Sequence, residues 1–446
     1  MIGLPTAPRA VPEAPARPAV AGPGEAGSRL LAGPAEGAES LAGQVDRLGA
    51  LPPPSRLATL HDLVARSGLR GRGGCGFPTA AKLEMARRAP GRALVIVNAA
   101  ESEPASRKDH VLGTRRPHLL LDGAATLAAL VGSPEVVVHT HRSGRGTALL
   151  QALDRALEER RAAGVADPAW RLSAGPDGYV SGEASAVASF VAGGEARPRF
   201  SGNRMASGGP SGRPTVVCNA ETVAHLGYLA HVGGDGRWAP DSPDGPRLVT
   251  LTGAVARDGE VVEVGGGATL GDLLARAGWT TPPAAVLVGG YAGTWVDGPA
   301  AWWTPFDRPG LERVGGRPGC GLVAVLPHGA CGLAETARLA RYLAGESAGQ
   351  CGPCVLGLPA LAGGWEDLAA GRLRPRGVRR LVARASSVVG RGACGHPDGV
   401  AHLVDSALRV FAGDVDRHLG GGPCAGAGHP PVLAVPPGRP TPATWR

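Results

Sequence analysis

Gly68-Leu69-Arg70-Gly71-Arg72-Gly73-Gly74-Cys75-Gly76-Phe77-Pro78-Thr79, followed by the apolar run Ala93-Leu94-Val95-Ile96-Val97, decides how this chain is read. A short apolar run bounded by polar and turn residues predicts a buried strand. Residues 71–76 match G-x-G-x-x-G, but they follow a helical pattern, with Leu57, Leu60 and Leu63/Val64 spaced for one face. A dinucleotide fingerprint follows a strand, so the letters do not specify that motif. The physics survives. Glycines let backbone N–H groups come close to a phosphate, and a following helix turns its positive end toward an anion. Arg72 and Lys82 are placed to add charge. From these letters alone a plain loop is an equal alternative.

Working outward, residues 119–131 read as a helix, 135–140 as a strand and 147–163 as a charged amphipathic helix. Strands alternating with helices predict an α/β layer with a parallel sheet. A Gly/Asp/Pro/Ser cluster at 233–246 reads as a linker. Beyond it, residues 248–255 and 259–264 read as paired strands turning at Asp258-Gly259. A short helix at 269–277 and strands at 285–289 and 321–326 complete a small α+β domain of roughly 80 residues. The last part is helical. Leu333, Ala337, Ala340 and Leu343 share one face, and Val400, Leu403, Val404, Ala407, Leu408 and Phe411 make a core stripe. The expected division is a disordered arm at 1–48, an α/β domain at 49–238, the α+β domain at 245–328, a helical domain at 330–415 and a disordered tail at 420–446.

Composition narrows the function classes. The chain has 446 residues with 71 Gly and 41 Pro, and a formal charge of +8. Its 46 basic residues are scattered, and its 8 Trp, 4 Tyr and 5 Phe interleave with no basic patch. That argues against a stacking platform for nucleic acid. No stretch reaches the ~18 uninterrupted apolar residues of a membrane span. Eight cysteines without a signal-peptide pattern point to a reducing, cytoplasmic setting, where cysteine clusters mean metal or catalysis.

Four further clusters carry polar chemistry. Asn98-Ala99-Ala100-Glu101-Ser102-Glu103-Pro104 follows the strand at 93–97, at the strand end where open α/β sheets bind ligands. Tyr179-Val180-Ser181-Gly182-Glu183 and Pro214-Thr215-Val216-Val217-Cys218-Asn219-Ala220-Glu221-Thr222 adjoin apolar runs. Glu346-Ser347-Ala348-Gly349-Gln350-Cys351-Gly352-Pro353-Cys354 carries a C-x-x-C pair, with Cys394 forty residues on. An iron–sulfur cubane is normally held by four thiolates. Three stand here, with Cys331 and Cys424 as spare candidates for the fourth, alongside Ser347 or water. Cys75, Cys218 and Cys320 read as small buried hydrophobes.

These motifs, in this order over residues 50–415, resemble the NADH-binding flavoprotein subunit of respiratory complex I (the NuoF type). The resemblance implies a Rossmann-like FMN/NADH domain, a ubiquitin-like β-grasp (SLBB) domain and a helical bundle carrying a 4Fe–4S cluster. It implies that Gly71, Gly73, Gly74, Gly76 and Lys82 hold the FMN phosphate and ring. Asn98, Gly182, Glu183, Asn219 and Thr222 would line the flavin. Phe77, Glu101 and Glu103 would face NAD(H), with Glu101 and Glu103 positioning the nicotinamide. Cys351, Cys354 and Cys394 would bind iron. The implied activity is FMN-dependent NADH:acceptor oxidoreduction, with electrons leaving to a ferredoxin-like or membrane-bound partner on the inner face of the membrane. The chain departs from the family pattern at Ala100 (Asp), Ala184 (Glu), Cys218 (Asn) and Ala348 (Cys). With three thiolates, a 3Fe–4S cluster or none is compatible. The alternative is a degenerate paralogue serving as a scaffold or ligand-binding subunit.

Overall fold

The computed structural model describes residues 20–199, 205–233, 245–437 and 445–446. Ten strands occur among them. They are β1 (Val20–Ala21), β2 (Leu94–Asn98), β3 (Glu135–His141), β4 (Ala169–Gly175), β5 (Thr215–Asn219), β6 (Arg247–Gly253), β7 (Glu260–Val264), β8 (Ala285–Val288), β9 (Thr294–Asp297) and β10 (Leu322–Leu326).

The first sheet runs β4-β3-β2-β5, all parallel. β2 and β5 are apolar on both faces because helices cover both sides. β4 was not expected from the sequence. It is an edge strand with half its residues facing solvent, so its polar letters conceal it. The chain goes outward from β2 to β3 to β4, then returns past β2 to add β5 on the other side. That reversal opens a crevice between the carboxyl ends of β2 and β5.

Two helices, Pro117–Val131 and Ala220–Val232, cross where Gly123 meets Gly227. A Cβ on Gly123 would overlap the Val223 carbonyl, and one on Gly227 would lie 2.6 Å from the Leu119 carbonyl oxygen. This close crossing fixes where the amino end of Ala220–Val232 sits, and Asn219 caps that end by accepting the Glu221 N–H at 3.1 Å.

The second sheet runs β1-β7-β6-β10-β8-β9. β6 pairs antiparallel with β7 and parallel with β10, and β8 pairs antiparallel with both β10 and β9. Its strands are buried on both faces. Val286, Val288, Val323 and Val325 pack inward against the helix Leu270–Arg276. Ala285, Leu287, Leu322, Ala324 and Leu326 face the last helices. Those helices are Gly332–Gly345, Leu358–Ala369, Pro375–Val388 and His396–Val410, and the two expected stripes form their core. Trp295 of β9 packs edge-on against Phe411 at 5.3 Å, and its backbone N–H donates to Ser406 Oγ at 3.0 Å.

The described parts of both ends are ordered where disorder was expected; residues 1–19 and 438–444 lie outside the described residues. Residues 29–31 donate three backbone N–H bonds, at 2.8, 2.9 and 3.2 Å, to Glu263 Oε2. Residues 41–48 form a helix capped by Ser40. At the other end Glu335 accepts the Leu433 N–H at 2.7 Å, and Leu433 is buried. In each case one carboxylate far away in sequence holds a Pro/Gly-rich segment, a tie that composition cannot show. The helix expected at 56–65 is also broken, into Pro54–Leu57 and His61–Arg66. The linker expected at 233–246 lies largely outside the described residues. No helix among the described residues is long and apolar enough to cross a membrane.

Overpacking a tight helix crossing costs about 1–3 kcal/mol. Gly123→Ala should therefore lower the thermal midpoint measured by circular dichroism. An unchanged midpoint would show that the two helices can separate freely.

Candidate functional site

The crevice beyond β2 and β5 is a cavity of about 970 Å3, at the upper end of the range for small-molecule and cofactor sites. Four of the segments that line it carry the residues singled out from the sequence. Gly71, Gly73, Gly74 and Phe77 come from the glycine loop, and Asn98, Glu101 and Glu103 follow β2. Gly182 and Glu183 precede the helix Ala184–Val191, and Asn219 and Thr222 follow β5. Lys82 lines the wall, its Nζ donating to the Val217 carbonyl at 2.7 Å. Gly76 is the exception. It is buried behind the loop, where its carbonyl accepts from Arg70 at 3.0 Å.

The loop is closed by its own backbone. Gly71 N–H donates to the Phe77 carbonyl at 2.9 Å, and Thr79 N–H to the Leu69 carbonyl at 2.9 Å. Arg72 does not add charge to the cavity as expected. Its backbone N–H donates to Thr222 Oγ1 at 2.9 Å, its guanidinium to the Pro246 carbonyl at 2.9 Å, and its side chain is buried near Glu221. Arg72 is thus a tether between the loop, the helix Ala220–Val232 and the start of the second sheet. Cys75 is exposed at the cavity rather than buried, while Cys218 is buried on β5.

Gly182 has a steric reason to be glycine. A Cβ there would overlap Ser102 Oγ and approach the Ala100 carbonyl oxygen at 3.2 Å. Asn98 Nδ2 donates to the Gly182 carbonyl at 2.9 Å, and its Oδ1 accepts the Ala100 N–H at 3.1 Å. Glu183 caps Ala184–Val191, accepting the Ser185 and Ala186 N–H groups at 2.8 and 3.1 Å.

The floor is a buried charge cluster that sequence reasoning left unassigned. Lys108 Nζ lies 2.8 Å from Asp109 Oδ1, 2.8 Å from Glu221 Oε2 and 3.1 Å from Asn219 Oδ1. Asn219 Nδ2 donates to Asp109 Oδ2 at 2.6 Å. Burial works against the Lys108 ammonium, but the two carboxylates outweigh it and hold its pKa above the ordinary value. Burial raises Asp109 to about 6 despite the neighbouring lysine. The available signal was a Lys-Asp pair opening a helix directly after the 98–104 cluster.

Glu101 and Glu103 have different roles. Glu101 accepts Ser106 Oγ–H at 2.6 Å and the Asp109 and His110 N–H groups at 3.1 and 3.2 Å. It therefore caps the helix Lys108–Arg115 from the cavity rim. Glu103 accepts from the Tyr179 hydroxyl at 3.2 Å, and its Oε1 is buried without a hydrogen-bond partner. Burial pushes its carboxyl up to about 8. A neutral carboxylic acid with an unfilled position, inside a large cavity, is the donor set expected where a polar heterocycle binds.

Cys394 and His396 line the far side of the same cavity. Behind them Cys351, Cys354 and Cys394 surround a small void together with Ala348. Burial, with Cys351 beside it, pushes the Cys354 thiol up to about 12, and a hydrogen bond from Ser347 opposes this. Burial raises Cys351 less than nearby backbone N–H groups lower it, so its thiol lies below the ordinary value. Three thiols and the Ser347 hydroxyl thus fit an iron–sulfur site with three thiolate corners. Cys331 and Cys424 do not supply the fourth. They pair with His418 at the opposite end of Gly332–Gly345.

Comparison with known proteins places these features. Residues 64–227 match the Nuo51 FMN-binding domain, and residues 334–418 match the NADH-ubiquinone oxidoreductase-F iron-sulfur binding region. The chain is 31% identical to the NADH-quinone oxidoreductase F subunit of Aquifex aeolicus over 318 residues, covering 66% of this chain and 71% of that one. It is 29% identical to the corresponding protein of Streptomyces coelicolor over 386 residues, covering 81% and 84%. Among solved structures it is similar to a chain of an NAD+-reducing NiFe-hydrogenase in the H2-reduced state, with a TM-score of 0.74 and 30% identity. That match covers 83% of this chain and 63% of the hydrogenase chain, so this chain spans less than two thirds of its length. With the fold, the cavity and the cysteine loop in agreement, the chain belongs to the family of NADH-quinone oxidoreductase F subunits.

Proposed function

We propose that this chain is an FMN-dependent NADH dehydrogenase module that passes electrons through an iron–sulfur centre to a partner protein. The observation that carries the reading is continuity: the glycine loop at 71–77 and Cys394 line one cavity of about 970 Å3. A flavin held against the loop would lie between an entrance for NADH and the three-cysteine site. When bound, FMN accepts a two-electron reductant and releases electrons one at a time.

The chain's own residues then divide the work. Gly71, Gly73, Gly74 and Lys82 would receive the phosphate. Gly182 leaves room where a Cβ would collide, and Asn98, Glu183, Asn219 and Thr222 frame the ring. Lys108 brings a fixed positive charge beneath it. Glu103, protonated at neutral pH, would donate from its free oxygen to an acceptor on the nicotinamide or the ring. Glu101 would hold the rim in place, and Phe77 would cover the nucleotide. Having alanine at positions 100 and 184 in place of a polar side chain costs about 1–3 kcal/mol each in a tight site. Hydrogen bonds from the backbone are independent of those two positions.

We read the second sheet as a β-grasp domain of the SLBB type and the last helices as the iron–sulfur domain. Cys351, Cys354 and Cys394 would bind three irons of a 3Fe–4S cluster, or a 4Fe–4S cluster with Ser347 or solvent at one corner. Beside this loop Val355, Leu356, Val382 and Val389 are exposed, Leu356 at 73%. An apolar patch next to an electron exit supports docking of a ferredoxin-like or membrane-arm partner, which would hold the chain at the cytoplasmic face.

Anaerobic mixing of the FMN-reconstituted chain with NADH should bleach the oxidised-flavin absorbance. Unchanged absorbance would reject the dehydrogenase reading in favour of a scaffold. If the parent chain holds a 3Fe–4S cluster, Ala348→Cys should raise iron from about three to about four per chain in anaerobic preparations, and iron that stays at about three would show that position 348 faces no vacant corner.

Glu103 adds a pH signature. Its folded pKa of about 8 exceeds the ordinary 4.5. Its contribution to stability is thus fully present below about pH 4.5 and is lost as the pH rises through 8. Glu103→Gln should change little at pH 5. At pH 9 it should melt higher than the parent, by up to the equivalent of about 5 kcal/mol. A pH-independent difference between the two chains would show that Glu103 is ionised at neutral pH.

A further inference from the structure

Cys331, His418 and Cys424 take no part in either site described above. Cys331 caps the amino end of the helix Gly332–Gly345, His418 lies in the last turns of the helix Ala412–Gly421, and Cys424 follows that helix. Their ligand atoms all lie within 4.8 Å of one another. Cys331 and His418 are buried, and Cys424 is half-buried. Fourteen helical residues separate this group from the 346–354 loop, on the order of 20 Å at 1.5 Å per residue. The group is therefore separate from the iron–sulfur site.

The histidine tautomer is fixed from both sides. His418 Nδ1 lies 3.2 Å from the Leu368 carbonyl oxygen, which can only accept, so Nδ1 carries the proton. The Cys424 N–H donates to Nε2 at 3.0 Å, which requires a lone pair there. Nε2 also lies 3.6 Å from Cys331 Sγ. A neutral imidazole held by a backbone carbonyl through one nitrogen, with the other directed at two thiols, is the outer-shell arrangement of a metal-ligating histidine.

We propose that Cys331 Sγ, Cys424 Sγ and His418 Nε2 bind one zinc ion, with water as the fourth ligand, as a structural site for the carboxyl-terminal segment. Two thiols and one imidazole suit a borderline-soft divalent ion without redox chemistry, and they are too few thiolates for an iron–sulfur cluster. On binding, each thiol gives up its proton to solvent and the Cys424 N–H exchanges its bond to Nε2 for another acceptor. Burial and the adjacent Cys424 push the Cys331 thiol up to about 12 when no cation is near, and a bound cation reverses that.

The placement explains what the ion would do. Residues 424–428 rest on the turn before Gly332–Gly345, where a Cβ on Gly426 would lie 2.6 Å from the Gly329 carbonyl oxygen. The segment then crosses that helix, with the Leu433 N–H on Glu335 at 2.7 Å and Arg338 donating to the Leu433 carbonyl at 2.9 Å. Pro436 and Pro437 reach a second cavity of about 520 Å3 beside Tyr179 and Glu346, next to the flavin-side wall. Zinc would anchor the near end of a strap whose far end borders the proposed catalytic cavity. Zinc binding at this group does not depend on whether the chain binds flavin.

The test uses the full chain expressed with zinc in the medium and measures zinc and iron per chain. The expected result is about one zinc per chain, kept in a Cys351→Ser/Cys354→Ser variant that loses iron, and lost in His418→Ala and Cys424→Ala. X-ray absorption on the iron-free variant should show two sulfur ligands at about 2.3 Å and nitrogen or oxygen ligands at about 2.0 Å. A zinc-free chain, zinc that disappears with Cys351 and Cys354, or zinc retained in Cys424→Ala would overturn the proposal. Should the variants fail to fold, Co2+ added to the metal-stripped parent chain decides: thiolate-to-cobalt charge-transfer bands support the site, and their absence refutes it.

Discussion

The ammonium of Lys108, enclosed between Asp109, Asn219 and Glu221, is the interaction on which the arrangement of the cavity depends. Glu221 is fully buried and faces it at 2.8 Å, while its other oxygen accepts the Leu248 N–H of β6 at 2.8 Å. One carboxylate therefore joins the segment after β2, the cap of the helix after β5 and β6 of the second sheet. Burial opposes its charge, but Lys108, His225 and Arg72 together hold it ionised, with its pKa below the ordinary value. A buried ion pair of this kind adds little net stability against an apolar replacement. Its effect is positional: removing either partner leaves a buried charge that the loops must rearrange to satisfy. The cavity thus has a charged floor before any ligand arrives.

Much of the first layer was legible because β2, β3 and the helix Pro117–Val131 carry apolar runs bounded by polar or turn residues. The second sheet was legible for the same reason in β6, β7, β8 and β10. β4 and β9 were not. One is a half-exposed edge, and the other is four residues whose burial comes from Phe411 and the helix His396–Val410, far away in sequence. Order in the described parts of the two ends was not legible because it comes from single buried carboxylates, Glu263 and Glu335. At the site, order along the chain pointed to four of the segments that line the cavity, but not to 288–294 or 317–320, nor to the direction of each side chain. Arg72 turns inward to a carbonyl and Glu101 serves a helix end, and neither orientation is written in local pattern. Lys108 was missed because a lysine at a helix start reads as solvated unless its two carboxylate partners are known.

The positions that the resemblance marks as departures, Ala100, Ala184, Cys218 and Ala348, lie in an intact scaffold. Ala100 and Ala184 sit at the cavity wall, where the backbone geometry around Gly182 and Asn98 is intact. Ala348 lies among three thiols that still face one another. The structure therefore describes a cavity whose shape and floor are kept while some polar edges are trimmed. Under the proposed function, such a site would bind a flavin through backbone, glycine clearance and the Lys108 charge more than through polar side chains.

Isothermal titration of FMN into the flavin-free chain tests this most directly. The expected result is one site per chain with micromolar or tighter affinity, about 8 kcal/mol or more of binding free energy, and its loss in Gly182→Val. Absence of binding, or equal affinity in the parent chain and Gly182→Val, would contradict it.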